Sequence, residues 1–425
     1  MTRRRLYLFV ASVVLVALSV LGYWLYQGQT IVLTLGTYAD SSWGVPSSNS
    51  KVIDEAIARF EKKHPKVKVV YETGIRKKDY ADWLAQKIVS GNEPDVFIVP
   101  DDDFSRLASI GALKNLSSLS IGDKRVLNRF YPSALAAGRY VKEQYALPFE
   151  SNPTMLCVNT DILAQKGIAI SQKGWDLATF LSICKRLTPT DGSLQLYSLT
   201  GYDWQTALAA YGGQIVTADG DVTINTPQMK KALNYIHQLS DIETREATDN
   251  DFDQGEVAFK PMTLAQYRTY KPYPYRSAKY TTFSWTCLPL PAASSDVKAS
   301  QLSVSLLAIG AKTRHARLAS QLLSEFTSDE TQQSLVKYSQ GASVIKKVMV
   351  SKETQQLFQS DHLGANVVTS STLDYILKHS QAQPTVKDYQ NILAKSDYLI
   401  TKALKQQTVD NDLITIEKEL TDNSS

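Results

Sequence analysis

The sequence predicts an α/β fold, and three features carry that expectation. Short apolar runs alternate with segments whose apolar residues recur every three or four positions, the marks of strand and helix in turn. Several of those runs are apolar throughout, as strands covered on both faces are. The breaks between them fall on turn-forming residues, His64-Pro65 and Ser90-Gly91-Asn92.

Residues 31–35 read as a buried strand, followed by a loop over 37–49 rich in Ser, Gly and Pro. From Lys51, residues Val52, Ile53, Ala56, Ile57 and Phe60 keep helical spacing. The pattern stops at His64-Pro65 because proline cannot continue a helix. Residues 67–71 give a second strand with Lys66 and Lys68 on its other face, and residues 80–89 a second amphipathic helix. Val96-Phe97-Ile98-Val99 is a third strand, entered through Asp95. Strand, helix, strand, helix, strand predicts a parallel sheet with helices on both faces. The turn Pro100-Asp101-Asp102-Asp103 then lies at the carboxyl end of the sheet, where open α/β folds bind ligands, and a helix follows from Phe104 to Gly111. A second block opens at Tyr145 with Ala146-Leu147-Pro148-Phe149, a strand over 155–158 and helices over 160–166 and 177–187. A late strand over 302–309 precedes a helix over 316–326. No short-period repeat is visible, and the polar tail after Asp422 is expected to fray.

Arg3, Arg4 and Arg5 stand before an uncharged run over residues 6–26. As a helix rising about 1.5 Å per residue, that run is roughly 30 Å long, the thickness of a bilayer's hydrocarbon core. Basic residues favour the cytoplasmic side, so a single-pass anchor would place residues 1–5 in the cytoplasm and the bulk of the chain outside it. Tyr23, Trp24 and Tyr26 crowd the exit, as aromatic residues do at a membrane interface. The competing reading is a cleaved signal peptide. Those carry a shorter apolar region and a small-residue cleavage site, for which Ala17-Leu18-Ser19 is the passable candidate. No cysteine lies nearby to accept a lipid.

The remaining residues suffice for two or three domains. The formal net charge is +4, of which the three N-terminal arginines supply three, so the outer part is nearly neutral. Polyanion binding needs a basic face, and the short runs Arg76-Lys77-Lys78 and Lys346-Lys347 read as solvated surface; no nucleic-acid partner is expected. The three cysteines, Cys157, Cys184 and Cys287, show no C-x-x-C or zinc spacing and allow at most one disulfide. No metal site and no cofactor are expected.

Five segments, in order, resemble the extracellular solute-binding proteins of bacterial ABC importers, family 1, the carbohydrate-type group that includes the maltose-binding protein. They are Phe60-Glu61-Lys62-Lys63-His64-Pro65 with Val67-Lys68-Val69; Ser90-Gly91-Asn92-Glu93-Pro94-Asp95-Val96 through Gly111-Ala112-Leu113; Tyr145-Ala146-Leu147-Pro148-Phe149 with Val158-Asn159-Thr160-Asp161; Phe252-Asp253-Gln254-Gly255-Glu256-Val257-Ala258-Phe259; and the helix over 319–326 with Ser328-Asp329-Glu330-Thr331-Gln332. The chain departs from the family at Phe259, where a methionine is usual, and at Tyr267, which stands for the usual aromatic shortly after.

The resemblance implies a two-lobe periplasmic-binding-protein-like fold of type II, each lobe a sheet flanked by helices, behind the N-terminal transmembrane helix. It places residues 31–147 with about 270–312 in lobe 1, and 148–269 with about 313–421 in lobe 2. Ligand would sit between the lobes, with closure about a hinge. The implied partners are a sugar or oligosaccharide and ABC permease subunits, with a monomer at the membrane surface. A tethered sensor or adhesion protein of the same fold is the alternative.

A sugar needs aromatic faces to stack on and polar groups for its hydroxyls. Tyr38, Trp43, Tyr202, Trp204, Tyr267 and Trp285 supply the first, and Asp40, Asp102, Glu150, Asn152 and Arg268 the second. Family position singles out Asp102, Asn152 and Tyr202. Trp83 and Trp175, on helices, read as packing; Trp43 and Trp204 fit cleft or surface equally, and Trp285, alternating with Phe283 and Cys287, fits core or cleft. Asp101-Asp102-Asp103 lacks the spaced ligands of a calcium loop and reads as a solvated turn with one cleft-facing member. No G-x-S-x-G elbow, H-E-x-x-H helix or phosphate loop is present, and the five histidines are isolated, so an enzyme is not expected, an anchored glycan hydrolase being the rival.

Overall fold

Strand pairing, more than helix packing, organises this chain. The computed structural model describes residues 30–43, 49–100, 102–171, 173–187, 196–217, 220–242, 245–270, 283–360, 368–384, 386, 388–406 and 409–422. Among these, ten strands join in one sheet: β1 (Ile31–Gly36), β2 (Val67–Tyr71), β3 (Val96–Val99), β4 (Ala146–Asn159), β5 (Tyr197–Leu199), β6 (Val257–Thr263), β7 (Trp285–Leu288), β8 (Ser300–Ile309), β9 (Ala342–Ser343) and β10 (Ser380–Ala382). The main path runs β2-β1-β3-β8-β4-β6-β5, with β7 and β9 on β4 and β10 on β8.

The first half follows its sequence pattern. The helix α1 (Asn49–Lys63) buries Val52, Ile53, Ala56, Ile57 and Phe60 and ends just before His64-Pro65. The helix α2 (Lys77–Val89) buries Tyr80 and Leu84. Strand β1 lies parallel to β2 and β3, as the alternation of elements predicts. The sheet as a whole is mixed, because β8 runs antiparallel to both β3 and β4. Its direction is set by a long excursion of the chain, which no local pattern encodes.

Strand β4 is the element shared by both halves. Its first part pairs with β8 and β9, its second with β6 and β7. Nearly all of its 14 residues are buried. Because successive side chains point to opposite faces, Met155 and Cys157 enter one core while Leu156 and Val158 enter the other.

The remaining helices used below are α3 (Phe104–Ser109), α4 (Thr160–Gln165), α5 (Leu177–Leu187), α6 (Trp204–Ala210), α7 (Pro227–Ser240), α8 (Leu264–Thr269), α9 (Ala316–Phe326), α10 (Asp329–Tyr338), α11 (Ser370–Lys378), α12 (Tyr389–Gln406) and α13 (Val409–Asp422). One core joins Leu33, Phe60, Phe97 and Leu306 with Phe326, Leu335 and Leu377. The second joins Leu156 and Phe259 with Phe180, Leu208, Leu233, Ile400 and Leu413. Helices α9 and α10, expected in lobe 2, pack on α1, and β7, expected in lobe 1, pairs with the second part of β4. Both α9 and α10 are joined to α1 by polar contacts as well: Arg59 binds Glu325 at 2.9 Å and Thr331 at 2.6 Å.

Three of the quoted segments act as polar staples. Asp95 accepts from the Thr34 backbone N–H (2.8 Å) and hydroxyl (3.0 Å) and from the Thr313 hydroxyl, joining three parts of the chain. Asn159 caps α4 through its Oδ1. Gln332, fully buried, donates to the Phe149 carbonyl (2.9 Å) and accepts from Ser343 and the Val344 N–H. Asn159 and Gln332 satisfy buried backbone groups that would otherwise cost about 1–3 kcal/mol apiece, whereas the Asp95 bonds to Thr34 are exposed. Among the described residues no helix is long and apolar enough to cross a membrane. The uncharged run over residues 6–26 lies outside the described residues.

Candidate functional site

A cleft with about 1170 Å³ of empty space, open solvent included, separates the two halves. Its floor is Asn152 on β4 and the register partner Ser303 on β8, with Leu302, Val304 and Leu306 beside it. One wall carries Trp43, Lys77, Asp102 and Ser105; the other carries Thr263, Gln266, Gln383, Tyr389 and Gln390.

The first wall is built by a loop pinned to a helix start. Lys77, the first residue of α2, donates its backbone N–H to Asp40 (2.8 Å) and its ammonium to the Ser42 carbonyl (2.6 Å). Tyr38 is buried edge-on against Tyr80 and donates to the Ser42 hydroxyl (3.2 Å). This framework holds Trp43 half-buried at the cleft. At the end of β3, Asp102 stays exposed in the lining while Asp103 turns back to Arg106 (2.7 Å) at the start of α3. Asp101 lies outside the described residues.

The opposite wall rests on α8. Thr263 and Gln266 cap each other's backbone N–H groups in a capping box at its start, and Asn152 Oδ1 accepts from the Ala265 N–H (3.0 Å). Tyr389 opens α12, and burial pushes its phenol up to about 12, so it stays a neutral hydrogen-bonding group at physiological pH. Ala382, Gln383, Pro384 and Tyr389 are shared with a second groove of about 480 Å³, where Trp204, Gln205, Gln301 and Gln381 gather. Trp204 donates its indole N–H to Asp397 (2.9 Å), which fixes the ring.

Of the eleven candidates from the sequence, the structure brings Trp43, Asp102 and Asn152 into the cleft and Trp204 into the adjoining groove. The others line neither, for identifiable reasons. Tyr38 and Asp40 support the Trp43 loop. Tyr267 and Trp285 are buried edge-to-face at 5.2 Å in the first core. Arg268 is buried and donates to the carbonyls of Ser339 (2.5 Å) and Gly341 (3.0 Å). Tyr202, partly buried, packs with Phe180 and Tyr235 against the second core, and burial raises its phenol pKa. The sequence reading missed Lys77, Gln266, Ser303, Gln383 and Tyr389. Thr263-x-x-Gln266 has the spacing of a helix start and was findable; the other four carry no local signal.

Glu150 is wholly buried on β4, with Oε1 accepting from the Gly341 N–H (2.8 Å) and from Ser339. A Cβ on Gly341 would collide with that carboxylate, so glycine is required there. Burial raises the pKa of Glu150 from its ordinary 4.5, while donors from Ser339, Trp43, Gly341 and Ser42 pull it back. The carboxyl therefore braces the Ser339–Gly341 turn beneath the Trp43 loop instead of meeting a ligand. Among the described residues lining the cleft, Asp102 is the sole carboxylate and there is no histidine or cysteine.

Two outcomes follow. With its native pKa above the unfolded value, the folded state holds the Glu150 proton longer, and stability is lost as pH rises through the raised pKa. The melting temperature of Glu150→Gln, measured against the parent, should therefore improve from pH 4 to pH 8; a constant difference contradicts the assignment. Tyr202→Ala should cost about 3 kcal/mol of stability by urea denaturation while solute affinity holds. An affinity loss without destabilisation would return Tyr202 to the site.

Residues 55–361, well over half of the chain, match the family described as bacterial extracellular solute-binding protein. No curated protein matches. Among solved structures, the cyclic α-maltosyl-1,6-maltose binding protein of Arthrobacter globiformis superposes with a TM-score of 0.74 at 17% identity, covering 92% of this chain and 98% of that one. The sugar-binding protein MalE of Xanthomonas citri gives 0.73 at 15% identity, covering 93% and 96%. The ABC substrate-binding protein of Listeria monocytogenes in complex with cycloalternan gives 0.66 at 18%, covering 93% and 99%. Two halves around a polar cleft, with this match along the sequence, place the chain in the family of bacterial extracellular solute-binding proteins.

Proposed function

We propose that this chain is the extracytoplasmic substrate-binding subunit of an ABC importer and that it captures an oligosaccharide in the inter-lobe cleft. The observation that carries the reading is the lining itself. Trp43 and Tyr389 offer ring faces, and Lys77, Asp102, Asn152, Thr263, Gln266 and Gln383 offer donors and acceptors from both walls. That mixture matches a ring with apolar faces and a rim of hydroxyls. The named ligands of similar proteins, cyclic α-maltosyl-1,6-maltose and cycloalternan, support the choice of an oligosaccharide.

On this reading, residues 6–26 tether the protein as a single-pass helix with Arg3, Arg4 and Arg5 inside. The two lobes close on the solute and dock as a monomer on permease subunits, a partner supplying ATP hydrolysis. The solute is carried and not altered.

Titration calorimetry of residues 30–425 against linear and cyclic oligosaccharides, monosaccharides, amino acids and polyamines tests it. An oligosaccharide should bind. Asp102→Ala should weaken that binding about tenfold, the worth of one charge-assisted hydrogen bond, with the melting temperature unchanged because the side chain is exposed. Binding of amino acids or polyamines in place of any sugar would contradict the assignment.

A further inference from the structure

We propose that Cys157 and Cys287 are joined by a disulfide in the mature protein, a covalent staple between β4 and β7. The two are register partners in the antiparallel β4–β7 ladder, and their Sγ atoms, unbonded here, lie 2.8 Å apart. Opposed residues in such a ladder have Cα atoms about 4.5–5.5 Å apart, inside the range a disulfide spans. The bond forms without backbone movement beyond a small approach of the two strands. The third cysteine, Cys184, lies on α5 in the second core, so the pairing is unambiguous.

The location gives the staple a purpose. β4 passes through both halves, and β7 leads into β8, the other strand that runs alongside it. The bond would close a loop with 130 residues of separation, the greater part of one half of the molecule, and would tie that loop shut at its base. Long closed loops gain most in the chain-entropy account of disulfides. The family's extracellular setting is where such bonds persist.

The chemistry is thiol–disulfide exchange with an extracytoplasmic protein disulfide as oxidant. The thiolate of one cysteine attacks that disulfide, forming a mixed disulfide and releasing one oxidant thiol. The thiolate of the second then attacks the chain's sulfur in the mixed disulfide and releases the other. The pair loses two electrons and two protons, and the oxidant's sulfurs gain them. Burial raises the thiol pKa of Cys287, so reactive thiolate is scarce in the folded state and exchange belongs to folding, before the ladder closes.

The test uses the full chain recovered from the extracytoplasmic side of producing cells, denatured and alkylated without reductant, then read by intact mass and peptide mapping. One alkylated thiol, Cys184, and a peptide pair linked through Cys157 and Cys287 are expected. Cys157→Ala should give two alkylated thiols and Cys184→Ala none, with denaturant exposing every free thiol to the reagent. Three alkylated thiols in the parent, or a bridge that includes Cys184, overturns the proposal.

Discussion

The structure depends on the pairing of β4 with β8. These two strands run antiparallel through the middle of the sheet, and the first half's parallel strands and the second half's β6 and β7 all attach to them. Because β4 is buried along nearly its whole length, its polar residues need internal partners, and they have them. Glu150 holds the turn at Ser339–Gly341, and Asn152 holds the start of α8. A break in the register, between Ser305 and Leu306, falls in this stretch beside the cleft floor. One strand pair thus supplies both the connection between the halves and the base of the site they enclose.

Much of the fold was legible because local rules govern it. The apolar spacing of α1 and the proline that follows, the all-apolar β3, and the segment ending in Asn159 each announce an element from a few neighbouring residues. The quoted motifs turn out to be structural: Asp95, Asn159 and Gln332 join backbone segments, and Phe259 packs against Trp175 and Phe180. In this chain they serve the bonding of the fold itself. For the same reason they say little about the ligand.

The site was less legible. Its lining comes from loop ends and helix starts far apart in sequence, such as Trp43, Asp102, Gln266 and Tyr389, and only tertiary pairing assembles them. An aromatic residue in a loop-like segment reads alike whether it faces a cleft or a core. Tyr267 and Trp285 enter the core and Tyr202 packs against it because each finds aromatic rings at edge or tilted geometry. The direction of β8 and the packing of α9 and α10 on α1 escaped local reading for the same cause.

The central claim, that a small polar solute is held between two halves and touches both, is tested most directly by hydrogen–deuterium exchange of the protein with and without a bound oligosaccharide. The account predicts slower exchange at residues 42–43 and 102–105 on one wall together with 263–266 and 382–390 on the other. Protection confined to one wall, or appearing away from β4 and β8, would contradict it.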